Sequence, residues 1–174
     1  PIKEDYLLSS KLEPTNEGYA LAKIVVLKYC EYVNKKFKKY FITLQPANLY
    51  GDGDNFDLKS SHVMPALLKK FHLAATNNLK TVEVWGTGIA EREFLHVNDL
   101  AKACIVSLRS WDPNDEFAPK SKDGSPLYWL NVGTGKEISI KDLATIIADK
   151  LNYQGSIKWD TSKPNGTTRK LLDI

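Results

Sequence analysis

The sequence predicts an α/β protein built on a mainly parallel sheet, and three observations carry that expectation. Helical and strand-like segments alternate along most of the 174 residues. The strand-like segments are short and apolar, as suits strands covered on both faces. Two Gly-Thr-Gly turns, at residues 86–88 and 133–135, each close one of those segments. A hydrophobic content of 43% is enough for one ordinary domain, or for part of a larger one.

Residues 15–36 read as a long helix opened by Pro14 and Thr15, because Tyr19, Ala22, Lys23, Val26, Leu27 and Cys30 recur at three- and four-residue intervals. Residues 41–44 read as a strand buried on both faces, followed by a polar loop over 48–59 that holds Gly51, Gly53 and several aspartates. Ser60 or Ser61 can cap a second helix reaching Thr76, with Pro65 tolerated in its first turn. Strands are expected at 82–85 and 92–96, then a helix from Asn98 or Asp99 to Ser110. Residues 112–126, polar and proline-containing, read as a surface loop. A strand at 128–132 follows, then a helix opened by Ser139, whose spacing to Asp142 is that of a capping box. Residues 156–159 make a last strand, and residues 162–170 a basic, turn-rich tail.

A net charge of +3, with lysine and arginine interspersed among the acids, argues against a nucleic-acid partner and leaves room for a small anionic ligand. No apolar stretch approaches the roughly 20 residues of a membrane span, so a soluble, cytoplasmic protein with no membrane partner is expected. Cys30 and Cys104 fall within apolar helical patterns without metal-ligand spacing, and read as small core residues in a reducing compartment. No metal site and no disulfide is expected. Pro1 at the start, Met64 as the sole methionine and an apolar run ending at Ile174 read as a chain cut from a longer one.

Tyr19 and Lys23, four apart on a helix, project from one face, where an ammonium favours a phenolate over its reference pKa of about 10. The plainer alternative is a tyrosine at the core edge beside a solvated lysine. His62 precedes a helix, where N–H groups and the dipole converge on a ligand; the alternative is a terminal histidine facing water. Trp85 and Arg92 flank one turn and offer an aromatic face and a planar cation to a nucleotide sugar. A core tryptophan and a surface ion pair would look the same. His72 and His96 read as structural, and Lys163, Arg169 and Lys170 as a solvated basic tail. No glycine-rich turn joins a strand to a helix in the manner of a dinucleotide fold, so a coenzyme pyrophosphate would bind upstream of Pro1.

The runs Glu13-Pro14-Thr15-Asn16-Glu17-Gly18-Tyr19-Ala20-Leu21-Ala22-Lys23 and Pro46-Ala47-Asn48-Leu49-Tyr50-Gly51 come first, then Asp54-Asn55-Phe56 and Ser61-His62-Val63. Val84-Trp85-Gly86-Thr87-Gly88, Arg92-Glu93-Phe94-Leu95-His96-Val97, Asn131-Val132-Gly133, Ser162-Lys163-Pro164 and Arg169-Lys170-Leu171-Leu172-Asp173 continue in the same order. Together they resemble the GDP-L-fucose synthases of the extended short-chain dehydrogenase/reductase superfamily, over essentially the whole chain. The resemblance implies an incomplete Rossmann-like fold with a small α/β substrate lobe. Residues 1–59 would then be the remainder of the coenzyme domain, and 60–174 mainly the substrate lobe with returns to the coenzyme sheet.

It also implies the chemistry of the complete protein: 3,5-epimerisation of GDP-4-keto-6-deoxy-mannose and reduction of its 4-keto group by NADPH. Tyr19 would give a proton to the C4 oxygen. Lys23 would tune Tyr19 and hold the nicotinamide ribose. His62 would move a proton during epimerisation beside the nicotinamide. Pro46, Ala47, Asn48 and Leu49 would line the coenzyme, and Lys70, Trp85, Arg92 and Asn165 the GDP-sugar. The complete protein would be a homodimer using NADP(H). The family's catalytic serine and cysteine and its glycine-rich turn precede the position of Pro1, so this chain by itself is expected to be inactive and to bind no coenzyme tightly. Lys70 stands where the family usually has arginine, and Asn165 where it usually has aspartate. The remaining alternatives are another nucleotide-sugar epimerase, reductase or dehydratase of the superfamily, and a non-catalytic nucleotide-sugar binding module.

Overall fold

The computed structural model describes residues 1–174, every side chain except that of Thr15, which lies outside the described set together with its expected part in opening the first helix. Two compact units share the chain. One comprises Pro1–Ala47, Asn98–Gly135 and Leu172–Ile174, the other Asn48–Val97 and Lys136–Leu171. The α/β expectation holds: helices alternate with strands, and most strand pairings are parallel.

In the first unit a 3-10 turn, Pro14–Asn16, leads into α1, Glu17–Phe37, which ends at Lys38 in the left-handed region. Asn34, 2% exposed, then holds both backbone groups of Phe41: its Nδ2 donates to the Phe41 carbonyl at 2.8 Å and its Oδ1 accepts from the Phe41 N–H at 2.7 Å. With those groups taken, Phe41 cannot join a ladder, and strand β1 runs over Thr43–Pro46 instead of 41–44. It is half-buried rather than covered on both faces. Strand β1 pairs in parallel with β5, Trp129–Val132, Thr43 lying opposite Trp129 and Pro46 opposite Val132. The small core of this unit is Leu27, Leu127 and Trp129, with Leu7 packed on it. The N-terminal segment is pinned there, because the Glu4 carbonyl accepts from Trp129 Nε1 at 3.0 Å and its carboxylate from the Asn131 N–H at 2.9 Å. Helix α3, Val97–Ser110, buries no residue, and Cys104 on it is exposed, which corrects the expectation of a core thiol there.

The second unit has a larger core. Strand β2, Asn48–Tyr50, starts inside what the sequence suggested was loop and pairs in parallel with β4, Glu91–His96. Strands β6, Glu137–Ser139, and β8, Arg169–Lys170, were not foreseen; both also pair with β4, antiparallel and parallel. Each is too short for its alternation to register as a pattern. Strand β3, Thr81–Trp85, pairs in parallel with β7, Ser156–Asp160. Helices α2, Val63–Thr76, and α4, Ile140–Lys150, complete the core, in which Phe71 and Ala144 are fully enclosed among Leu67, Val82, Val84 and Ile147. Ser139 caps α4 as expected, its Oγ accepting from the Asp142 N–H at 3.0 Å. The cap of α2 is His62 rather than Ser60 or Ser61, whose N–H groups are spent on the Asp57 carbonyl.

Candidate functional site

In the first unit the helical spacing of Tyr19 and Lys23 does bring them together: the Lys23 ammonium lies 5.4 Å from the centroid of the Tyr19 ring. Tyr19 is 63% exposed, so its hydroxyl is accessible rather than sequestered in the core. Pro46 ends β1, and the Ala47 N–H continues the ladder by donating to the Val132 carbonyl at 2.9 Å. These two residues are therefore held at the carboxyl end of a parallel strand, where α/β folds present ligands.

The second unit carries the other sequence-predicted residues. Asn48 and Leu49 begin β2, and Asn48 Nδ2 donates to the Glu93 carbonyl at 2.8 Å, which ties the end of that strand to β4. His62 is the N-cap of α2 and is exposed, with its carbonyl accepting from the Ala66 N–H at 3.0 Å and no side-chain cap bond. A cavity of about 280 Å³ lies among Tyr50, Asp54, Phe56, Met64, Leu68 and His96, whose ring stands edge-on to Tyr50 at 5.1 Å. A larger one of about 520 Å³, between the end of α2 and the residues joining α4 to β7, contains none of the predicted site residues.

Trp85 is the last residue of β3, on the outward side of an alternation that sends Val82 and Val84 into the core. It is 60% exposed, which sets aside the core-tryptophan alternative. Lys70 reaches it from α2: its Nζ donates to the Glu83 carbonyl at 2.9 Å and lies 5.9 Å from the Trp85 ring centroid. Asn165 is brought to the turn after Trp85, its Oδ1 accepting from the Thr87 N–H at 2.7 Å and from the Thr87 hydroxyl at 3.0 Å. Gly86, at φ +79, makes this approach possible, since a Cβ there would stand 2.5 Å from that oxygen. Arg92, half-buried on β4, donates from Nη1 to the Glu91 carbonyl at 2.7 Å, and burial lowers its pKa from the usual guanidinium value without threatening its charge.

Residues 1–118 match the sequence profile of the NAD dependent epimerase/dehydratase family, more than half of the chain. The chain belongs to that family. Among its relatives, the GDP-L-fucose synthase of Escherichia coli K12 is 44% identical over 178 residues, spanning 100% of this chain and 53% of the relative. GDP-L-fucose synthase 1 of Arabidopsis thaliana is 44% identical over 99% of this chain and 50% of its own length. A solved structure described as a GDP-mannoheptose C4 reductase from Campylobacter jejuni with NADP bound superposes with a TM-score of 0.80 at 34% identity, covering 99% of this chain and 56% of that one. The chain thus spans about half the length of the curated relatives it matches. The similarity to GDP-L-fucose synthases read from the motifs extends over the whole chain at the level of identity.

Within this family member, sequence reasoning overlooked two features near Trp85. Thr87 anchors Asn165 mainly through its backbone, which no side-chain pattern announces. Lys163, read as part of a solvated tail, places its Nζ 5.6 Å from the Trp85 ring centroid. The only sequence signal for it was the Ser-Lys-Pro-Asn turn following a strand. Arg169, read as part of the same tail, is instead paired with Glu137, 2.5 Å from Nη2 to Oε1, and lies in β8.

Proposed function

We propose that this chain carries the proton-transfer helix and the GDP-sugar surface of an enzyme that converts GDP-4-keto-6-deoxy-mannose to GDP-L-fucose. The observation that supports it most is the gathering of Lys70 and Asn165 at the exposed Trp85 within one unit. An indole face suits a base or sugar, and cations beside it suit phosphate. Arg92 on β4 supplies a fork-shaped donor set in the same unit.

In this reading Tyr19 delivers a proton to the C4 oxygen of the sugar, with the Lys23 ammonium held beside its ring. Within the first unit, the exposed Tyr19, the Lys23 ammonium beside it and the strand end at Pro46 and Ala47 suit the nicotinamide end of NADP(H). The coenzyme, when bound, supplies the hydride that reduces the ketone. His62, with its ring free of any cap bond, moves a proton on or off a carbon beside the ketone, where the carbonyl stabilises the carbanion as an enolate. The glycine-rich pyrophosphate turn is not in these 174 residues, so the chain alone is proposed to be inactive, with the homodimer and full coenzyme site belonging to the complete enzyme.

Equilibrium binding of GDP-fucose, UDP-glucose and NADPH to the chain at one salt concentration tests this. Selective GDP-fucose binding with no measurable NADPH binding is expected. Equal binding of UDP-glucose would move the assignment to another nucleotide-sugar enzyme, and no nucleotide binding would remove the GDP-sugar surface from this chain.

A further inference from the structure

Two ammoniums, from Lys70 on α2 and Lys163 on the loop after β7, rest on the same indole, both within 6 Å of its ring centroid. Their separation cannot exceed the sum of those two distances. Neither makes an ion pair with a carboxylate among the described residues. The ring quadrupole attracts each of them while they repel one another. A ligand with two adjacent negative charges would relieve that repulsion and satisfy both lysines.

The loop that carries Lys163 is not a loose tail. Its start is fixed by Asp160, whose carboxylate accepts from the Ser162 N–H at 3.1 Å and from the Ser162 hydroxyl at 2.6 Å, while the Lys163 N–H donates to the Asp160 carbonyl at 3.2 Å. Its far side is fixed by Asn165 on Thr87. The backbone at Lys163 is therefore held against the turn after Trp85, while its side chain stays exposed and free to swing from the ring to a ligand.

We propose that Lys163 is a ligand-binding residue for the diphosphate of a nucleoside-diphosphate sugar, acting with Lys70 across Trp85. This rests on the assignment of the Trp85 surface to a GDP-sugar and adds a residue to it. Lysine at position 70 gives a point charge without a bidentate fork, and the second ammonium brings a further set of donors to the same pair of phosphates.

The test is calorimetric titration of GDP and of guanosine into the chain and into Lys163→Met, Lys163→Arg and the remote control Lys122→Met. Lys163→Met is expected to weaken GDP about tenfold, the size of one charge-assisted contact. Guanosine affinity should be unchanged, Lys163→Arg should retain GDP binding, and Lys122→Met should match the unaltered chain. GDP binding by Lys163→Met equal to that of Lys122→Met would overturn the proposal while leaving the GDP-sugar reading intact. An equal loss of guanosine and GDP would overturn it by placing Lys163 at the base. Failure of the unaltered chain to bind either compound would remove both the proposal and the reading beneath it.

Discussion

Helix α4 buries five of its residues, Ile140, Leu143, Ala144, Ile147 and Ala148, whereas α3, three residues longer, buries none. Both have apolar residues at helical spacing. In the second unit α4 packs with α2 over β3 and β7, so its stripe is covered. In the first unit Ile105, Val106 and Leu108 on α3 remain exposed, as do Leu21, Val25, Val26, Tyr29 and Tyr32 on α1. An amphipathic pattern states which side of a helix favours burial. It does not state what covers that side, and the two units end with cores of very different size.

The largest test of that difference is Phe71→Ala. Phe71 is completely enclosed and meets Tyr153 edge-on at 5.5 Å, so its loss should cost the second unit about 3–5 kcal/mol in urea unfolding. A cost below about 1 kcal/mol would mean that this core collapses around the cavity and is not the tight one described. The first unit depends more on polar fastenings. Asn34→Ala leaves both Phe41 backbone groups without their partner and should cost about 2 kcal/mol, read from the unfolding of the unit that contains Trp129. If it cost nothing, Asn34 would not be what shapes the path from α1 into β1.

Glu31 sharpens the comparison through pH. Burial raises its carboxyl pKa, but hydrogen bonds and charge from Lys28 at 2.5 Å and Lys35 at 2.6 Å outweigh burial and hold it below 4.5. A depressed carboxylate contributes stability that is fully present above its unfolded value and is lost as pH falls through the folded one. The first unit should therefore weaken on acidification below about pH 4.5 more steeply than Glu31→Gln does, measured by denaturant midpoints from pH 6 downward. Parallel profiles for the two proteins would show that the pair contributes no linkage. The smallest effect belongs to the better-packed unit: Ser139→Ala removes the cap on α4 and should cost about 1 kcal/mol, visible as a lower urea midpoint.

Much of this molecule was legible before its structure. Tyr19 and Lys23 meet because a helix places residues four apart on one face, and that geometry is local. Ser139 caps α4 for the same kind of reason, one side chain answering a donor three residues on. The start of β1 was misread because Asn34, seven residues away, occupies the backbone of Phe41. The cap of α2 was misread because Ser60 and Ser61 close a turn on Asp57, their N–H groups donating to its carbonyl, and the helix starts only after them at Val63. Strands β6 and β8 exist only through the partner they share, and two or three residues carry no period of their own.

The candidate site divides along the same line. Trp85 and Arg92 could be named from motif runs, and Lys70 and Asn165 from the resemblance those runs carry. Their grouping could not, because Lys70 and Trp85 reach each other only once α2 lies beside β3, and Asn165 meets Thr87 across 78 positions of sequence. Lys163 shows this most clearly: on the chain it is one basic residue in a polar turn, and in the fold it is the second ammonium on an exposed indole. The sequence by itself determined the α/β class, the helix that carries Tyr19 and Lys23, and the family. Which apolar faces are covered and which distant polar groups meet was decided only by the tertiary structure, because burial and long-range hydrogen bonds depend on partners that proximity along the chain does not specify.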